Sequence, residues 1–172
     1  MIARHGLRPG VLLRPEPWAL VAIVALDQLT KWLVYHRVAL YETVPVIPGL
    51  LNITHVRNTG AAFGMFNATD FAYKPVVVAF MATLALLALL WYARQVAHES
   101  WATRYAFVLI IAGAIGNLID RATVGYVLDF MDVVFGTWHF WAFNVADAAI
   151  TVGAVLFFAD ALFMHRHVSE AA

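Results

Sequence analysis

Three aspartates in the second half of the chain have the residue type and setting for chemistry: Asp120 in GNLIDR, Asp129 in VLDFMD and Asp147 in FNVAD. Each stands beside or inside an apolar run. A carboxylate at the centre of a bilayer costs about 2.5–3.5 kcal/mol on insertion scales, and less near the interface, so a retained one calls for a use. Asp147 follows Phe143, where the last apolar run begins, by four residues, which is about 6 Å along a helix. Two neighbouring carboxylates cannot both ionise cheaply, so one keeps its proton. Such a pair can deprotonate a water while protonating a scissile carbonyl or a leaving amine, which is the chemistry of an aspartic protease. The residues themselves leave the partner of Asp147 open between Asp120 and Asp129.

Other chemistries lack their parts. The chain has no cysteine, so thiol nucleophiles, disulfides and thiolate metal sites are excluded. Its only serines, Ser100 and Ser169, fall away from the aspartates, and there is no HExxH. His139, Asp129 and Asp132 have no metal-ligand spacing, so neither a metal nor any other cofactor is expected. Several charges have plainer readings. Asp27 and Lys31 stand at i,i+4 and suit a neutralising ion pair on one helix face. Asp120 beside Arg121 suits a helix-end cap or pair. Asn58, Asn117 and Asn144 suit interhelical packing amides. Asp132 is expected to face water, and Asp160 the headgroups of the inner leaflet.

The elements that must hold these groups are membrane spans. The 172 residues are 63% hydrophobic and 13% charged, against soluble averages of about 45–50% and about 25%. Net charge is zero, so no nucleic-acid partner is expected. A bilayer core of about 30 Å needs roughly 20 helical residues. Four segments qualify, at about 18–35, 75–93, 101–120 and 143–164, within a single integral membrane domain spanning 1–172. The arginines ahead of the first span resemble the start of a secretory signal. However, Asp27 and Lys31 interrupt that span and no small-x-small cleavage site follows, so it is expected to be retained.

The expected fold is thus mainly α, with four transmembrane helices and a small β-rich extracytoplasmic element between helices 1 and 2, at about 38–74. LLNITHVRN within it is β-rich and partly alternating. The segment 121–142 is expected as an extracytoplasmic connector. Its aromatics Tyr126, Phe130, Trp138, Phe140 and Trp141, with Phe143, suit an interfacial belt. Arg4, Arg8, Arg14, Arg94, Arg104 and Arg166 fall on one side, and Arg37, Arg57, Lys74 and Arg121 on the other. That bias puts both termini in the cytoplasm and the aspartates at the outer face. A proton-coupled transporter would also bury carboxylates, but four spans without repeats make a poor alternating-access scaffold. A membrane adaptor would need none of them.

DQLTK at 27–31, RNTGAAFG at 57–64, GNLIDR at 116–121, VLDF at 127–130 and FNVAD at 143–147 resemble the bacterial lipoprotein signal peptidases, or signal peptidase II. The motifs follow that family's order and spacing across nearly the whole chain. The resemblance implies an aspartic endopeptidase of the bacterial cytoplasmic membrane that removes signal peptides from prolipoproteins, cutting before a diacylglyceryl-modified cysteine. It implies Asp129 and Asp147 as the catalytic pair, with Leu128 where the family more often has valine. It also implies a supporting or substrate-binding shell of Asn58, Asn117, Arg121 and Asn144, with Asp27 and Asp120 beside them. The partners it implies are lipid-modified prolipoproteins, membrane lipids and inhibitory peptides of the globomycin type.

Overall fold

In the computed structural model, residues 15–60, 71, 73–95 and 100–170 are described. The four apolar runs form α1 (Pro15–Arg37), α2 (Lys74–Gln95), α3 (Trp101–Thr123) and α4 (Val145–Glu170). All four are long and apolar enough to cross a membrane. Local signals set their ends. Pro15 opens α1, where a missing N–H costs nothing, and His36 and Arg37 close it at the negative end of its dipole. Ser100 caps α3, its Oγ accepting the Thr103 N–H at 3.0 Å. The N-terminal arginines Arg4, Arg8 and Arg14, and the AAFG of RNTGAAFG, lie outside the described residues.

Between α1 and α2 run β1 (Thr43–Ile47) and β2 (Leu51–Asn58), inside the stretch expected to be β-rich. The sheet also recruits the segment expected as a connector. Val127–Phe135 is β3 and Trp138–His139 is β4, giving an antiparallel order β1-β2-β3-β4. The aromatics in that segment are therefore divided. Trp138 and Trp141 are exposed, as a belt would have them, whereas Phe130 is buried with Val34 and Leu128 in the apolar cluster that joins β3 to α1. A bulge in β2 sets Thr54 and His55 between the Ile53–Met131 and Val56–Asp129 pairs.

The turn from α3 into β3 is tied by one residue. The Asp120 carbonyl accepts the N–H groups of Val124 (2.8 Å) and Gly125 (3.2 Å), and the Asp120 carboxylate accepts the Leu128 N–H at 3.3 Å. Gly125 has φ +81°, a left-handed conformation that glycine adopts without strain and that commonly follows a helix C-terminus. Asp129 is thereby delivered to the end of α3 on a strand that is buried from Val127 to Phe130.

The helices do not share burial equally. α3 is central, packing against α1, α2 and α4. Among the described residues α2 packs mainly on α3, with Tyr92 also edge-on to Phe157 of α4, and leaves its apolar surface outward, as a lipid-facing helix does. The interior between α1, α3 and α4 is polar: Asp27, Lys31, Asn117, Asp120, Asp129 and Asn144 are all buried. In a bilayer such groups must satisfy one another.

Candidate active site

FNVAD is a helix start. Asn144 precedes α4, and its Oδ1 accepts the Asp147 N–H at 2.9 Å, while the Asp147 Oδ2 accepts the Asn144 N–H at 3.3 Å. This reciprocal arrangement is a capping box, made here with aspartate. It accounts for a carboxylate one turn inside an apolar helix. The first-turn N–H groups have no helical partners, and the positive end of the helix dipole favours an anion.

The same Asn144 joins the two aspartates. Its Nδ2 donates to Asp129 Oδ1 at 2.7 Å while its Oδ1 holds the backbone of Asp147. Asn58 donates to the other Asp129 oxygen at 3.1 Å, and Asn117 Nδ2 donates to Asp147 Oδ1 at 2.7 Å. All three asparagine amides are oriented by groups that only donate. Asn58 Oδ1 accepts the Gly60 N–H at 3.0 Å, Asn144 Oδ1 the Asp147 N–H, and Asn117 Oδ1 the Lys31 ammonium at 3.1 Å. With each amide oxygen so engaged, each NH₂ must face a carboxylate. Burial pushes the Asp129 carboxyl up from its ordinary 3.8 to about 7. The Asp147 charge adds to the rise, while the Asn58 and Asn144 amides and Lys31 oppose it.

A second polar cluster lies against the first. Lys31 pairs with Asp27 at 2.8 Å and with Asp120 at 2.9 Å. Gln28 Nε2 donates to Asp120 at 2.9 Å and to Asp27 and the Gly116 carbonyl at 3.2 Å. Asp27 Oδ1 accepts the Ala146 N–H at 2.9 Å, which ties α1 to the first turn of α4. Arg121 donates to the Asn117 carbonyl at 3.2 Å and the Gly60 carbonyl at 3.0 Å, joining α3 to the end of β2.

All eight residues singled out in the sequence therefore lie in one connected polar region, seven of them in two different sets and Arg121 bridging α3 to the end of β2. Asp129, Asp147, Asn58, Asn117 and Asn144 surround the two amide-held carboxylates. Asp27 and Asp120 share Lys31, so the i,i+4 pair is present and has a third member. Asp120 makes its ion pair with Lys31 on α1, not with its neighbour Arg121. Asp132, expected in water, is buried, accepting from Asn52 at 2.9 Å and pairing with His139 at 3.0 Å. Asp160 accepts from the hydroxyls of Ser100 and Thr103, at the opposite end of α3. Among the described residues, no three His, Asp or Glu side chains gather as metal ligands.

Two features were missed by sequence reasoning, of which only the first was open to it. N-x-x-D ahead of an apolar run is a capping-box pattern. Gln28, inside DQLTK, has no such local signal, because its partners are 88 and 92 positions away.

A profile of the family described as signal peptidase (SPase) II matches residues 19–163. A lipoprotein signal peptidase from Desulforapulum autotrophicum is 43% identical over 141 residues, 82% of this chain and 87% of that protein. One from Solibacter usitatus is 38% identical over 162 residues, 92% of this chain and 97% of that protein. A solved structure described as a bacterial membrane enzyme aligns with a TM-score of 0.76 at 33% identity, covering 86% of this chain and 87% of that one. A second, described in the same words, gives 0.75 at 34% identity, covering 86% and 92%.

Proposed function

This chain belongs to the signal peptidase II family and is thus a multi-pass membrane protease that processes lipoproteins, and we propose that Asp129 and Asp147 are its catalytic pair. The observation that carries the assignment is the contrast between two sets of buried acids. Asp27 and Asp120 are ion-paired to one shared lysine, Lys31, whereas Asp129 and Asp147 are held by amides and linked through one asparagine. Amide donors position a carboxylate without fixing its charge as an ion pair does, so the pair can share one proton.

The ionised member takes a proton from a water as that water attacks the scissile carbonyl. The protonated member gives its proton to the carbonyl oxygen, forming a gem-diol; as that intermediate collapses, the proton taken from water passes to the leaving amine and a diol hydroxyl returns its proton to the other carboxylate. The substrate is a prolipoprotein cut on the N-terminal side of its diacylglyceryl-cysteine, presented at headgroup depth with its acyl chains in the membrane. Peptides of the globomycin type occupy the same site. The sheet end of the bundle, with the aspartates, faces the outside and both termini face the cytoplasm. A C-terminal tag labelled from outside intact spheroplasts would contradict that orientation.

The purified protein should cleave a lipidated precursor and leave its unlipidated form intact, with no response to chelators. Cleavage that a chelator removed and zinc restored would overturn the aspartic reading. The pH profile follows from Asp129. Its raised pKa keeps one proton on the pair below about pH 7, and the rate should fall as pH rises through that value and the second proton leaves. Stability runs in the same direction, falling between about pH 4 and pH 7, because the folded state holds a proton the unfolded chain has released. A rate that kept rising well above pH 8 would contradict proton sharing.

A further inference from the structure

We propose that Lys31 is a positioning residue for this reaction, acting on Asp147 through the orientation of the Asn117 amide. The inference rests on the assignment of Asp129 and Asp147 as the catalytic pair. Lys31 is only 5% exposed, and its ammonium has three protons and no lone pair. All three have partners: Asp27 Oδ2 at 2.8 Å, Asp120 Oδ2 at 2.9 Å and Asn117 Oδ1 at 3.1 Å. The third contact has a directional consequence. A group that cannot accept must face the amide oxygen of Asn117, so the Asn117 NH₂ must face Asp147 Oδ1, which it meets at 2.7 Å. Asn58 and Asn144 are oriented by backbone N–H groups that no substitution removes, whereas Asn117 is oriented by side chains, the Lys31 ammonium from another helix at 3.1 Å and, at a longer 3.3 Å, the Asn144 Nδ2.

The two carboxylates on Lys31 serve that task. An ammonium paired with Asp27 alone, on its own helix face, could swing with α1. Asp120 holds it from α3, the helix that carries Asn117, and Gln28 braces Asp120 and Asp27 together. The charged groups around Lys31 are Asp27 on α1, Asp120 on α3, Asp129 on β3 and Asp147 on α4. Removing Lys31 alone would leave two buried carboxylates short of a cation and would confound position with stability. The informative variant is Lys31→Met with Asp120→Asn. It removes one positive and one negative charge together and leaves the net charge of the cluster unchanged.

The test uses the purified full-length protein and a lipidated precursor, with kcat and KM determined separately and melting followed alongside. Lys31→Met/Asp120→Asn should lower kcat about 100-fold with KM within a few-fold of wild type, the size of effect that misplacing a reacting group produces. Asn117→Leu cuts the same link from its other end with the Lys31 ion pairs intact, and should lose at least as much kcat. The triple variant should be no slower than Asn117→Leu, because both changes sever one connection. Wild-type kcat in Lys31→Met/Asp120→Asn or in Asn117→Leu would overturn the proposal. So would a triple variant slower by the product of the two losses. The catalytic pair is judged separately by Asp129→Asn: near-normal cleavage there overturns the pair itself, whatever the Lys31 variants do.

Discussion

Asp129→Asn and Asp147→Asn should each abolish turnover of a lipidated precursor, with losses on the order of 10⁴-fold or more, while the protein still inserts and folds. Asparagine keeps the shape of either side chain but removes the group that exchanges protons. If the two aspartates act in one step, as proposed, the double variant should lose little beyond either single one. Asp120→Asn should behave differently. Asp120 shares Lys31 and caps the turn into β3, so its loss should lower melting temperature and leave measurable cleavage. Removing one partner of a buried ion pair commonly costs about 3–5 kcal/mol, and the neutral amide softens that by keeping an acceptor for the Leu128 N–H. Cleavage rates and thermal melts of the purified variants decide the matter. If Asp129→Asn cleaved well while Asp120→Asn was dead but stably folded, the partner of Asp147 would be Asp120.

The second large effect comes from a residue with no polar side chain. A Cβ on Gly113 would lie 2.3 Å from the Ala146 carbonyl oxygen and 2.7 Å from Ile150 Cγ1. The nearest obstacle is backbone and cannot rotate away, so α3 and α4 would have to separate. Small residues at such crossings are what let membrane helices approach closely. Gly113→Ala should therefore destabilise by ~1–3 kcal/mol, and Gly113→Val by more. The larger consequence is functional. Ala146 stands next to Asp147, and its N–H is held by Asp27, so separation at Gly113 pulls the helix start that carries Asp147 away from Asn117 on α3. A sharp fall in kcat at modest loss of stability is expected. Wild-type kcat in stably folded Gly113→Val would show that this crossing does not register the site.

Local patterns in the sequence carried the helices and most of the site. A bilayer-length apolar run is a local pattern, as is an aspartate four residues ahead of a lysine, and α1 to α4 with the Asp27–Lys31 pair follow from them. Non-local contacts were hidden. β3 is apolar or aromatic at seven of its nine residues, and VLDFMDVVF reads equally well as a membrane-surface connector until β2 pairs with it. Asp132 looks hydrated because its partner Asn52 is 80 positions away across the sheet. Asp120 seems committed to Arg121 by adjacency, yet Lys31, on another helix, is the cation within reach. The asparagines could be recognised as amides that satisfy polar groups. Their orientations could not, since these depend on which donor each carbonyl oxygen meets in three dimensions.

On the proposed assignment, the capping box of α4 makes protease activity a report on the folding of one helical turn. Asn144 and Asp147 stop that turn from fraying, and the same two side chains present the carboxylates to each other. A chain that has inserted but whose α4 has not closed its first turn contains every residue of the site and no site. Active and inactive molecules in a preparation then differ by the state of a few backbone N–H groups. Specific activity counts the fraction of chains in which that turn is wound, and amide exchange at Asn144 and Asp147 should slow in step with it.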